Sequence, residues 1–362
     1  MTDSSAPRPH ALAHDYETAR ADFLAAAEAA GAEITRHEHP RTGLHDEPLT
    51  LDVATFGPAD AARRVLVVSG THGVEGYCGS AMQTGWLRTM AAERPDDVRI
   101  VVLHALNPYG FSWVRRVNED NIDLNRNFID WTGPRPSNDG YGDLADLLVP
   151  ERFDEAEQQR TVEALLVKSA ELGAEQMQQV VSGGQYDHPT GVFYGGAAAA
   201  WSHDRLVEIW AAELAGADEV RVLDLHTGLG PRGFGELISH ETVGSDGYRR
   251  ATALWGEVRS MTDGESVSAA LTGDWLARIE HWADDTTVTA VAIEYGTVDT
   301  ITVLLALRAD AWMHAHGDPR GDDSEAIRAQ VRAAFIDDEP DWIDLCWEQF
   351  ARRMTAALTG AT

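Results

Sequence analysis

The sequence holds only two cysteines in 362 residues, Cys78 and Cys346, and they lie far apart. That spacing excludes a disulfide framework and a cysteine-rich zinc cluster, so both side chains are expected to be buried free thiols. Positive charge is also scarce. Against 59 acidic residues stand 29 basic ones, a formal net charge of −30, which repels phosphate backbones and anionic lipid surfaces at long range. Neither nucleic acid nor a membrane is expected as a partner. Long apolar runs are missing as well: no stretch approaches the ~18 uninterrupted apolar residues of a membrane span. Met1 to Ala13 also lack an apolar core of signal-peptide length. The expectation is a soluble, cytoplasmic protein in which any metal is held by His and carboxylate ligands, a set that suits zinc or a similar divalent ion.

What is present is an alternation. Apolar runs read as strands at Glu33–Thr35, Leu49–Phe56, Val65–Val68, Arg99–Leu106, Val220–Leu225, Phe234–Ser239 and Thr287–Ile293. Helical patterns fall between and after them, at Tyr16–Ala30, Tyr77–Ala92, Phe153–Gly173 with Gln176–Val181 as its prolongation, Ala199–Ala215 and Tyr248–Met261, while Asn107-Pro108-Tyr109-Gly110 reads as a turn. Three more helices follow at the end, Asp299–His316, Ser324–Phe335 and Asp341–Leu358. This order predicts an α/β fold, a mostly parallel twisted central sheet with helices on both faces. Phe111 to Phe128 fits neither period and reads as a long functional loop, and Gly183 to Gly196 as a second loop bracketed by glycines.

Several predicted strands end in unusual polar groups: His72 and Glu75 after Val65–Val68, Asn107 after the next, His226 after Val222–Leu225, and Glu294 after Val291–Ile293. In an open parallel sheet, ligands bind outside the carboxyl ends of the strands, so residues scattered in sequence would share one crevice. His72 and Glu75 are three apart at the start of a helix, a spacing that lets both side chains converge. Alone, that pair is as compatible with a polar turn. Joined by His226, it reads as a metal site. His188, His203, His240, His281, His314 and His316 are read as ordinary core or surface histidines.

The ordered set Gly70-Thr71-His72-Gly73-Val74-Glu75, Asn107-Pro108-Tyr109-Gly110, Asp123-Leu124-Asn125-Arg126-Asn127-Phe128, Asp224-Leu225-His226 and Ile293-Glu294-Tyr295-Gly296 resembles the motifs of zinc carboxypeptidases. Their superfamily includes the succinylglutamate desuccinylase and aspartoacylase branch. The Gly-Thr-His-Gly-Val-Glu-Gly spelling is most similar to a bacterial carboxypeptidase-like branch of unknown function. The resemblance implies one Zn2+ per chain on His72, Glu75 and His226, Glu294 as catalytic base, and Arg116 near the reacting carbonyl. It also implies Asn125 with Arg126 as a clamp for a substrate carboxylate. The tyrosine that such peptidases carry on a late mobile loop has no obvious match. Tyr186, Tyr194 and Tyr248 are the candidates, the first two from the glycine-bracketed loop. The implied organisation is a tail over residues 1–14 and a single catalytic domain over 15–362, with an inserted segment at about 129–196.

The expected activity is zinc-dependent hydrolysis of an amide next to a free carboxylate, by a carboxypeptidase or an N-acyl amino acid deacylase. The substrate is then a small molecule or short peptide bearing a carboxylate. Ester, lactone or neutral-amide hydrolysis on the same site is the rival chemistry, and a catalytically silent metal- or ligand-binding module is the rival class. Retention of Glu294 beside the ligands argues against silence, since a binding protein has no need of a base.

Overall fold

The computed structural model describes residues 10–267, 271–283 and 285–360. Eight strands form one sheet in the order β1-β2-β4-β3-β5-β8-β6-β7. They are β1 (Glu33–Thr42), β2 (Pro48–Phe56), β3 (Arg63–Ser69), β4 (Val98–His104), β5 (Glu219–Arg232), β6 (Gly235–Ser239), β7 (Arg259–Ser260) and β8 (Thr287–Gly296). The centre, β4-β3-β5-β8, is parallel throughout, while β1, β2 and β6 join antiparallel at its margins.

The strand sequences explain this burial. Along β3, Val65 and Val67 enter one apolar core and Leu66 and Val68 the other. β4 repeats the division, with Ile100 and Val102 on one side and Val101 and Leu103 on the other. Side chains alternate between faces in a strand, so an unbroken apolar run is what a sheet covered on both faces requires. Helices supply the cover. They are α1 (Tyr16–Ala29), α2 (Gly76–Thr89), α3 (Pro108–Ser112), α4 (Ala145–Leu148), α5 (Glu155–Leu172), α6 (Ala174–Ser182), α7 (Trp201–Glu213), α8 (Asp246–Trp255), α9 (Trp275–Arg278), α10 (Thr300–His316), α11 (Ser324–Phe335) and α12 (Pro340–Thr359). α7 and α9 line one core through Leu206, Ile209, Trp210 and Trp275, whereas α1, α2, α11 and α12 line the other.

Four local expectations change. The helix expected to reach Met261 stops at Trp255, because Gly256 takes φ +87°, and the chain then adds the short strand β7. The helix over 153–173 does not run on, since Gly173 at φ +86° separates α5 from α6. Asn107-Pro108-Tyr109-Gly110 opens α3, with the Asn107 side chain accepting from Gly110 N as a cap. β5 is much longer than its apolar run and extends to Arg232. The segment at 129–196 joins the main body: Leu144, Leu148, Leu165, Met177 and Val181 belong to the same core as α2 and β8. Of the expected tail at 1–14, residues 1–9 lie outside the described residues. His10 is buried, stacked on Trp347 and hydrogen-bonded to Asp344.

Candidate metal centre

The chain leaves β3 at Gly70, where φ is +64° and a Cβ would stand 2.7 Å from that of Ala105. Only glycine turns there without strain. A single 3-10 turn, Gly73–Glu75, then leads into α2. Its Gly73 N and Val74 N donate to Arg116 O and Arg115 O, at 3.1 and 2.8 Å, which ties the long 111–128 loop to this turn. In the sheet, Ser69 pairs with Leu225, and His226 pairs with Glu294. The polar ends of β3, β5 and β8 are thereby neighbours, as the strand-end argument requires.

His72, Glu75 and His226 each bring a ligand atom to within 4.8 Å of the others, the one such group among the described residues. Glu75 faces His72 Nδ1 through Oε1 at 2.9 Å and His226 Nδ1 through Oε2 at 2.8 Å. The two Nδ1 atoms stand 3.2 Å apart. Behind the rings, His72 Nε2 meets Asp123 Oδ1 at 3.1 Å, and His226 Nε2 meets Asp224 Oδ2 at 2.7 Å. A carboxylate on Nε2 holds the proton there and leaves the Nδ1 lone pair facing inward. Two such lone pairs and a carboxylate at these distances repel unless positive charge stands among them. The donor set fits a divalent cation, and with two nitrogens, one carboxylate and no thiolate it suits zinc.

The electrostatics agree. Burial disfavours the charge on Glu75, yet the His72 and His226 imidazoles outweigh it and hold the carboxyl below the usual range. For His226, burial opposes protonation, while Asp224 and Glu75 raise the ring well above its ordinary value. Both shifts have one root, a cluster that stabilises a cation at its centre. Glu294 moves the other way. Burial first, then the charge of Glu75, push it up to about 7, and its Oε1 accepts from Leu229 N at 2.9 Å.

Arg116 donates from Nε to Asp123 at 2.9 Å and from Nη1 to Glu75 at 3.1 Å. Asn125 and Arg126 sit in a 3-10 turn capped by Asp123, and Asn125 Oδ1 is buried without a hydrogen-bond partner among the described residues. The Arg126 fork is turned onto main-chain carbonyls, with Nη2 2.6 Å from Ser182 O and Nη1 3.1 Å from Asn125 O. Phe193 lies over both guanidinium groups, 5.6 Å from that of Arg116 and 5.4 Å from that of Arg126. A cavity of about 430 Å³ brings His72, His226, Arg116, Asn125, Arg126 and Glu294 together.

The tyrosines fall elsewhere. Neither Tyr186 nor Tyr194 lines the cavity; the Tyr186 hydroxyl donates to Arg126 O at 2.6 Å and so braces the main chain of that turn. Tyr248 is tied to Val258 O. Among the histidines read as ordinary, His203 stacks on Phe128, His240 faces Asp274, and none of the six joins the cluster. Sequence reasoning assigned no role to Asp224, which also accepts from Thr71 Oγ1 and Trp275 Nε1. Its signal was present, because two residues before His226 on a strand is the same face.

The fold is an α/β fold of the carboxypeptidase-like kind. Among solved structures it is similar to carboxypeptidase A from Helicoverpa armigera, at 14% identity and a TM-score of 0.51, covering 99% of this chain and 78% of that one. Bovine thrombin-activatable fibrinolysis inhibitor matches at 12% identity and a TM-score of 0.44, covering 91% and 98% of the two chains. An aspartoacylase family protein from Mesorhizobium loti matches at 16% and 0.37, covering 78% and 67%. No curated protein matches the chain. Residues 12–349 match the model of a family described as a protein of unknown function, DUF2817, and the chain belongs to that family. No helix among the described residues is long and apolar enough to cross a membrane.

Proposed function

We propose that the chain is a zinc-dependent hydrolase that cleaves an amide bond next to a free carboxylate, as a carboxypeptidase or an N-acyl amino acid deacylase. The observation that carries the reading is the adjacency of His226 and Glu294 across two strands, ligand beside base, in a cavity that also holds Arg116 and Arg126. When bound by His72, Glu75 and His226, zinc supplies Lewis-acid polarisation of the scissile carbonyl and acidifies water. Glu294, pushed up to about 7, is matched to taking a proton near neutral pH and returning it to the leaving nitrogen. Arg116 is locked by Asp123 and Glu75, and its Nη2 has no partner among the described residues, which leaves a donor for a developing oxyanion. Arg126 offers the planar fork that suits a carboxylate, with Ser182 O as the group a substrate displaces. The buried thiols of Cys78 and Cys346 suit a reducing compartment, in keeping with a cytoplasmic enzyme.

The test is a pair of substrates, a free acid and its amide, on the wild type and on Arg126→Ala. Charge-assisted bonds contribute roughly 1.5–3 kcal/mol, so the substitution should lower kcat/KM on the acid by roughly 10- to 150-fold and far less on the amide. Equal wild-type rates on both would move the reading to neutral amides or esters. Zinc and ligand binding with no hydrolysis would leave a silent binding module.

A further inference from the structure

The cavity has one side that the proposed chemistry does not use. Val303, Leu304 and Leu307 of α10 and Phe335 at the end of α11 all line it, and none carries a polar side-chain atom. Their position relative to the reacting groups is fixed by three contacts. The Phe335 ring and Glu294 Oε1 lie 3.3 and 3.4 Å from the point where a Cβ on Gly228 would stand, so the ring edge and the carboxylate flank the same glycine. Thr297 Oγ1 donates to Ala334 O at 2.6 Å and anchors the end of α11 to the end of β8. Leu307 borders a small adjoining cavity together with Arg116 and Phe193. The apolar face therefore belongs to the Arg116 and Glu294 end of the cleft, whereas the fork of Arg126 rests at the end of α6.

We propose that the acyl side of the substrate is a large apolar group, an aliphatic or aromatic acyl chain, held against Leu304, Leu307 and Phe335. This rests on the hydrolase reading above. A substrate whose carboxylate reaches Arg126 and whose scissile carbonyl reaches Arg116 turns its remaining end, the acyl group, towards α10. A charged acyl group placed against Leu304, Leu307 and Phe335 would be desolvated with only the Thr300 hydroxyl as a polar group of α10 in the lining, and no cation there, which disfavours short dicarboxylic acyl groups. Leu304 is half-buried and Ile301, one turn earlier, is 63% exposed, so the wall opens to solvent and leaves room for a longer chain. The reaction is ordinary hydrolysis: the amide C–N bond breaks, water supplies the new C–O bond and the proton taken up by nitrogen, and an apolar acid and a free amino acid leave.

The experiment uses acetyl-, butanoyl-, hexanoyl- and octanoylglycine with the zinc-loaded full chain. Turnover is followed on the wild type, and binding is measured by calorimetry on Glu294→Gln, which removes the base without removing the wall. Each buried methylene should tighten binding about fourfold, since ~0.8 kcal/mol per CH2 is just over half of a tenfold step. Leu304→Asn and Leu304→Trp, with melting curves as the check on folding, should each cut the octanoyl-to-acetyl affinity ratio by at least about tenfold. A flat or absent binding gradient, or a ratio unmoved by both Leu304 variants, overturns the proposal even if acylglycines are hydrolysed. A steep gradient that Leu304 controls, with no turnover by the wild type, upholds the apolar site and overturns the hydrolase reading alone.

Discussion

The floor of the cleft and its wall are built on opposite terms. On the floor, the carboxylates that order the site are buried and each has named partners: Glu75 between two imidazoles, Asp123 between His72 and Arg116, and Asp224 between His226, Thr71 and Trp275. Such groups cost several kcal/mol each when unpaired, so each fixes its neighbours and none is free to vary alone. The wall, from α5, α6, α10 and α11, consists largely of apolar helical side chains such as Met177, Leu304 and Phe335, which owe no hydrogen bond to anything. A chain can change what it accepts by altering the wall while leaving the chemistry of the floor untouched.

The largest effect should come from the floor. His226→Ala removes one ligand and leaves Asp224 and Glu75 facing a void, so bound zinc should fall from one per chain to none. Hydrolysis should drop by at least about 1,000-fold, because Lewis-acid stabilisation amounts to several kcal/mol. Elemental analysis decides it; unchanged stoichiometry would show that the triad is not the ligand set. Next in size is Glu294→Gln, which keeps shape and metal but cannot accept a proton, for a loss of about 100- to 10,000-fold in kcat. The pH profile carries the sign. A base works only when deprotonated, so wild-type kcat/KM should rise with pH to a plateau. The midpoint should lie at or below the value of about 7 set by burial and Glu75, since a bound cation favours the carboxylate. A profile flat from pH 5 to 8, with kcat unchanged in the glutamine variant, would take Glu294 off the floor.

Asp224→Asn tests whether the partners behind the rings belong to the same unit. The amide can still accept from Trp275 Nε1, but it no longer carries the charge that orients His226 and raises the basicity of its ring. Zinc affinity, read by chelator competition, should fall about 10- to 100-fold with the fold retained. An unchanged affinity would confine the fixed unit to the three ligands.

The same contrast explains what was legible in the sequence. His72, Glu75, His226 and Glu294 each interrupt an apolar run at a strand end, so their types and positions stand out before any coordinates are known. The central strands were legible for the same reason. Leu304 and Phe335 sit in helices whose apolar residues are indistinguishable by pattern from core residues, and only the tertiary packing of α10 and α11 turns them toward the cleft. The breaks at Gly173 and Gly256 depend on positive φ values that a helical period does not announce. The direction of the Arg126 fork was equally hidden, because its partner Ser182 lies 56 residues away.

Tyr186 gives the smallest effect and the sharpest boundary. Its type and its loop made it a candidate for touching substrate, but its ring is buried outside the cavity and its hydroxyl donates to the main-chain oxygen of Arg126. Burial pushes that hydroxyl up to about 12, so it stays protonated through the working range and serves as a donor throughout. Tyr186→Phe keeps the ring that packs near Trp131 and removes one hydrogen bond. The expected loss is about 1 kcal/mol of stability by denaturant unfolding, with kcat/KM on a carboxylate substrate within about twofold of wild type. If kcat instead falls tenfold or more while stability holds, the hydroxyl takes part in the reaction. The loop at 183–196 would then have to rearrange on substrate binding and contribute to the floor.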